Sequence, residues 1–173
     1  TYSFFALYAN VDGYDATTCE AVKADAPEID RWIISKLNSL IKGVTAELGG
    51  FDPTRAGRLI DAFVNNDLSN WYVRLNRKRF WGKEMSQDKL SAYQTLYTCL
   101  ETVAKLLAPF APFYADQLYL DLTRATNRGH LQSVHLADFP VADDNCIDRE
   151  LEERMEMAQK ITSMVLALRR KVN

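Results

Sequence analysis

The 173 residues are 47% hydrophobic and carry 21 Lys and Arg against 23 Asp and Glu, giving a net charge of −2 and a pI near 5.7. This content can bury one sizeable core, and the charge balance excludes a protein that coats DNA through a global positive field; nucleic-acid contact has to come from a local patch. Cys19, Cys99 and Cys146 are odd in number and far apart, which fits neither a disulfide framework nor a C-x-x-C metal site and points to a reducing, cytoplasmic setting. No apolar run approaches the roughly 20 residues of a membrane span, and the start lacks the features of a signal peptide, so a soluble chain with no membrane partner is expected.

In chain order, residues 1–26 open with Tyr2, Phe4, Phe5, Leu7 and Tyr8, an apolar strip with no evident partner, followed by the turn signal Asp12-Gly13. The strip reads as a remnant of a neighbouring domain. After Pro27, the series Trp32, Ile33, Leu37, Leu40, Ile41, Val44 and Leu48 predicts a first helix stopped by Gly49-Gly50. Asp52 and Pro53 then form an N-cap with proline at the first helical position. The series Ala56, Ile60, Val64, Leu68, Trp71 and Leu75 carries a second helix to Gly82, about 45 Å long.

Ser86 caps a third helix with apolar positions Leu90, Tyr93, Leu96, Tyr97, Leu100, Val103, Ala104 and Leu107, ended by Pro109. A fourth starts at Pro112 and carries Phe113, Leu118, Tyr119 and Leu122. Short links between four helices predict an all-α, antiparallel helix bundle over residues 27–142. Residues 129–144 read as a loop. A C-terminal helix over residues 143–173 starts near Asp148, acidic at first (Glu150, Glu152, Glu153, Glu156) and basic at its end (Arg169, Arg170, Lys171), in keeping with the helix dipole.

Residues 70–81, Asn-Trp-Tyr-Val-Arg-Leu-Asn-Arg-Lys-Arg-Phe-Trp, place four basic and four aromatic side chains in twelve positions. On a helix, Asn70, Arg74, Arg77, Lys78 and Trp81 share an arc of roughly 100°. Cations attract phosphates, and indole and guanidinium planes stack on splayed bases, as proteins do when they hold unpaired RNA. Because burying unpaired arginines costs several kcal/mol, this end is expected to protrude from the bundle. Two other readings stay open: Phe80 belongs to the core, as Trp71 is expected to from its place in the apolar stripe, or the patch docks a protein, since Trp and Arg are enriched in interface hot spots.

Catalytic constellations are absent: there is no glycine-rich phosphate loop, no H-E-x-x-H and no G-x-S-x-G. His130 and His135 have no cysteine company, so His135 reads as a packed or capping side chain, and the acidic residues after Asp148 read as a solvated face.

The ordered segments D-R-W-I-I-S-K-L-N from Asp30, N-W-Y-V-R from Asn70, N-R-K-R-F-W from Asn76, L-A-P-F-A-P-F from Leu107 and S-V-H-L from Ser133 resemble the anticodon-binding helical domain of class Ia aminoacyl-tRNA synthetases. The N-R-K-R-F-W run resembles the isoleucine type; the valine and leucine types share the other elements. The resemblance implies a domain that holds the anticodon stem-loop of tRNA(Ile), with no DNA partner, while the remaining domains activate isoleucine with ATP and Mg. Neither H-I-G-H nor K-M-S-K-S is present, so no cofactor and no catalysis are expected of this segment alone. The residues it implies for tRNA are Asn70, Arg74, Arg77, Lys78 and Trp81, with Arg79, Phe80 and Lys83 beside them. Arg31, Trp32 and Lys36 are assigned from their position to contact with the catalytic domain. A further C-terminal region follows in the family, so binding by this segment is expected to be weak and salt-sensitive.

Overall fold

Side-chain caps and prolines set the helix ends in the computed structural model, which describes residues 1–16, 26–124 and 131–172. The carboxylate of Asp52 accepts from the Arg55 N–H at 2.9 Å, the Ser86 hydroxyl from the Lys89 N–H at 3.2 Å, and Asp148 from the Leu151 N–H at 3.0 Å. Each such cap contributes about 1 kcal/mol by satisfying an amide that the first turn leaves open. The helices are α1 (Tyr2–Asp12), α2 (Glu28–Gly49), α3 (Pro53–Ala62), a π-helical stretch (Phe63–Val73) that runs without a break into α4 (Arg74–Trp81), α5 (Gln87–Leu107), α6 (Pro112–Arg124) and α7 (Arg149–Val172). Among the described residues there is no strand, and the architecture is the expected all-α bundle.

Connections of a few residues make successive helices antiparallel. The end of α4 and the starts of α2 and α5 therefore meet at one end of the bundle. The core is aromatic: Trp32, Tyr72, Tyr93, Tyr97 and Phe80 are all fully buried, with Leu68, Leu96 and Leu106 between them. Gly43 of α2 leaves room for the Leu59 side chain of α3, since a Cβ there would lie 3.0 Å from Leu59 Cδ1.

Several expectations are corrected. The opening strip is helical and has partners on the bundle. Phe5 is buried, with ring centroids 6.2 and 6.1 Å from Tyr93 and Tyr97, and Phe4 meets Phe80 edge-on at 5.2 Å. Phe113 follows Pro112 on the first turn of α6 and is 90% exposed, so it is not a core position. His135 is exposed in a single 3-10 turn, Val134–Leu136, and is not packed. Of the acidic residues of α7, Glu152 turns inward to accept from Ser35 and, at 2.7 Å, from Ser39, which fastens α7 to α2 beside the buried Leu151. Cys19, His130 and the first two residues of the expected 129–144 loop lie outside the described residues.

Candidate nucleic-acid interface

The π-helical stretch decides which residues reach the surface. Eleven residues, Phe63–Val73, adopt the wider i→i+5 geometry, which delays the inward face relative to an α-helical count. The buried positions are Ile60, Phe63, Leu68, Tyr72, Val73, Asn76 and Phe80, with a five-residue step between Phe63 and Leu68. An α-helical period predicts Trp71 and Leu75 inside. Instead Trp71 is half-buried and Leu75 is 55% exposed.

The same rotation sorts the basic residues. Asn70, Arg74, Arg77, Lys78 and Lys83 are all exposed. Among the described residues, no ion pair engages these four cations. Trp81 stands 56% exposed beside them, its ring fixed by an indole N–H donated to the Tyr8 hydroxyl at 2.8 Å. Arg74 and Lys78 lie one turn apart and Arg77 lies next to Lys78, so positive charge is concentrated along about a turn and a half of helix.

Arg79 and Phe80 do not share that surface. The Arg79 guanidinium donates to both oxygens of Asp30, at 2.7 and 2.8 Å, and to Asp88 Oδ2 at 2.9 Å. Asp30 is fully buried and accepts also from the Tyr72 hydroxyl and the Ser91 hydroxyl, each at 2.8 Å. Burial alone would weaken the hold of Arg79 on its proton, but the hydrogen bonds and charge of Asp30 outweigh it and push its pKa up. Burial, reinforced by the Asp30 charge, likewise pushes the Tyr72 phenol up, so it stays a neutral donor. Phe80 is 1% exposed and packs edge-on against Phe4 and Tyr93. The expected protrusion of this end is therefore corrected: α4 is anchored through Asn76, Arg79 and Phe80, and only its outer face is free.

The three residues assigned to a domain contact are also separated. Arg31 is exposed, Trp32 is 1% exposed in the core and so offers no surface, and Lys36 is paired with Asp67 at 3.6 Å.

Sequence reasoning missed the second wall of the site. An open cleft of about 680 Å³ runs between the π-helical stretch and α7, lined by Asn66, Asn70, Trp71, Glu156, Gln159, Lys160, Ser163 and Met164. The Gln159 amide donates to Asp67 at 3.2 Å and ties the two walls together. The polar series Glu156, Gln159, Lys160 and Ser163 recurs at three and four residues, a signal that α7 turns one polar edge to a single neighbour. Among the described residues no group of three or more His, Cys, Asp or Glu stands ready for a metal ion. No helix among them is long and apolar enough to cross a membrane.

The family described as the anticodon-binding domain of tRNA ligase matches residues 30–173. Similar proteins include the isoleucine–tRNA ligases of Bacteroides thetaiotaomicron, 68% identical over 173 residues, of Porphyromonas gingivalis, 60% identical over 173, and of Cytophaga hutchinsonii, 57% identical over 170. The match covers 100%, 100% and 98% of this chain and 15% of each of those proteins.

Proposed function

This chain belongs to the anticodon-binding domains of tRNA ligases, and on that footing we propose that the outer face of α4 grips the anticodon stem-loop of an isoleucine tRNA. The observation that carries the reading is the run Arg74, Arg77, Lys78 and Lys83, cations left exposed and without carboxylate partners among the described residues. Their charge is available to neutralise phosphates, whose counterions are released on binding. Asn70 adds an amide at one end of the row and Trp81 an indole at the other. Arg79 supports the face from behind, by holding α4 to the starts of α2 and α5.

The chain spans about 15% of the length of the relatives it matches, so aminoacylation is assigned to the protein as a whole. In this reading a cytoplasmic isoleucine–tRNA ligase activates the amino acid with ATP and magnesium in its other domains. This domain fixes one limb of the tRNA so that the distant acceptor end reaches that site. Holding the RNA in one orientation removes rotational freedom before the chemistry begins.

The test is binding of an RNA hairpin carrying the isoleucine anticodon across a salt series. Arg74→Ala and Arg77→Ala are each expected to weaken binding and to reduce the slope of log K against log salt by about 1. A loop with a changed anticodon reports whether the domain selects bases unaided. Absence of hairpin binding at low salt by a folded chain would overturn the reading.

A further inference from the structure

We propose that Tyr8 is a positioning residue of the RNA site: its hydroxyl fixes the indole of Trp81, so that Trp81 meets RNA with the face of its ring and not with its N–H edge. The inference rests on the RNA-binding reading and adds α1 to the site that reading describes. Trp81 is the last residue of α4 and is 56% exposed, and a side chain so placed has few packing contacts to select its rotamer. The Tyr8 hydroxyl supplies the missing constraint. It accepts from the indole N–H at 2.8 Å, across 73 positions of sequence. Indole has one donor and no acceptor, so this bond uses the whole hydrogen-bonding capacity of the ring. What remains for a ligand is the π face, on which any base can stack.

Tyr8 is itself held. Its ring lies 4.8 Å from that of Phe4, and Phe4 meets the buried Phe80 edge-on at 5.2 Å. At the end of α1, Asp12 pairs with the buried Lys89 at 2.6 Å, and the Lys89 ammonium also donates to the Gly82 carbonyl at 2.6 Å. Gly82 directly follows Trp81. Through Lys89, α1 therefore steadies the backbone beside Trp81, and through Tyr8 it steadies the ring. The indole is ordered before RNA arrives, and binding does not bear the cost of immobilising it. A neutral phenol adds nothing to the attraction of phosphates, so its effect falls on ring placement alone.

The experiment is a double-mutant cycle on the full chain. Tyr8→Phe deletes the hydroxyl and keeps the ring that packs on Phe4, so circular dichroism and Tm should stay close to those of the unsubstituted chain. It should bind a hairpin carrying the isoleucine anticodon about three- to tenfold more weakly, with the slope of log K against log salt unchanged because no phosphate contact is lost. In a Trp81→Phe background the same substitution should change hairpin affinity by less than about twofold, since a group that acts through the indole has nothing left to act on. Polarised emission gives a readout independent of binding. The share due to Trp81, taken as the difference between chains with and without it, should lose anisotropy in Tyr8→Phe. Unchanged hairpin affinity in Tyr8→Phe, while Arg74→Ala weakens it, would overturn the positioning role and leave the phosphate-binding reading intact. Equal losses from Tyr8→Phe with Trp81 present and absent would overturn it as well, by making Tyr8 a contact in its own right. Failure of the unsubstituted chain to bind the hairpin at low salt would overturn both.

Discussion

Both terminal nitrogens of Arg79 close on the single carboxylate of Asp30, at 2.7 and 2.8 Å, across 49 positions of sequence. That pair joins the end of α4 to the start of α2, and Asp30 reaches α5 as well through Ser91. The exposed arginines of α4 are held in place by one that is not exposed.

Removing Arg79 leaves a carboxylate with 0% exposure without its cation. Arg79→Ala should therefore cost about 3–5 kcal/mol in urea unfolding, the range for breaking one side of a buried pair. Arg79→Lys should recover part of it, because an ammonium keeps the charge and loses the two-pronged geometry. Equal stability of the Ala variant and the unsubstituted chain would show that the pair is dispensable.

Neighbours on α4 separate core from surface. Phe80→Ala empties a site ringed by Phe4 and Tyr93 and should cost about 3–5 kcal/mol. Trp81→Ala removes a half-exposed ring and one hydrogen bond to Tyr8, and should cost about 1 kcal/mol or less. Thermal unfolding of the two variants checks the order.

The helix ends were legible because each rests on local chemistry: Asp52 before Pro53, Ser86, Gly49-Gly50, Pro112. The exposed run Arg74, Arg77, Lys78 and Trp81 was legible too, because Arg74–Trp81 is α-helical and the spacing within it holds whatever the stretch before it does. Trp71 and Leu75 were placed inside because counting at 3.6 residues per turn presumes an α-helix throughout, and the π geometry of Phe63–Val73 breaks the phase without altering composition; Phe80 was set beside the RNA surface by the resemblance, which carries no information on burial. The Asp30–Arg79 pair and the α7 wall were not legible for a different reason. Both are contacts between segments distant in sequence, and local periodicity says nothing of which helices meet.

Two carboxylates should respond oppositely to pH. Burial would raise the Asp12 carboxyl, but hydrogen bonds from Lys89 and Tyr93 and the Lys89 charge outweigh it and hold its pKa below the ordinary 3.8. Its contribution is thus present above 3.8 and lost as pH falls through the lower folded value. Asp67 is pushed above 3.8 by burial, despite Lys36 and Gln159. What it contributes is full below 3.8 and lost as pH rises through the folded value, so at pH 7 its ionised form costs stability. Asp12→Asn should lower Tm at pH 7 and Asp67→Asn should raise it; at pH 3.8 the Asp67→Asn difference should be largely gone, while the Asp12→Asn difference persists until pH falls through its lower folded value. Thermal scans at the two pH values decide, and the reverse order would contradict the assignment.

Phe51 offers a stabilising substitution. It sits in the α2–α3 turn at φ 59°, in the left-handed region where a Cβ crowds the following carbonyl, and its ring is 92% exposed. The strain of a non-glycine residue there is about 1–2 kcal/mol, and no burial offsets it. Phe51→Gly relieves that strain and gives back part of the gain through the freer unfolded chain. A net increase of roughly 0.5–1 kcal/mol is expected, or a rise in Tm of about 1–4 °C for a domain of this size. Phe51→Ala is the control: it deletes the same ring but keeps the Cβ, so its Tm should stay within a degree or so of the unsubstituted chain. If the alanine variant gains as much as the glycine one, the exposed ring and not the backbone angle is the source of the cost.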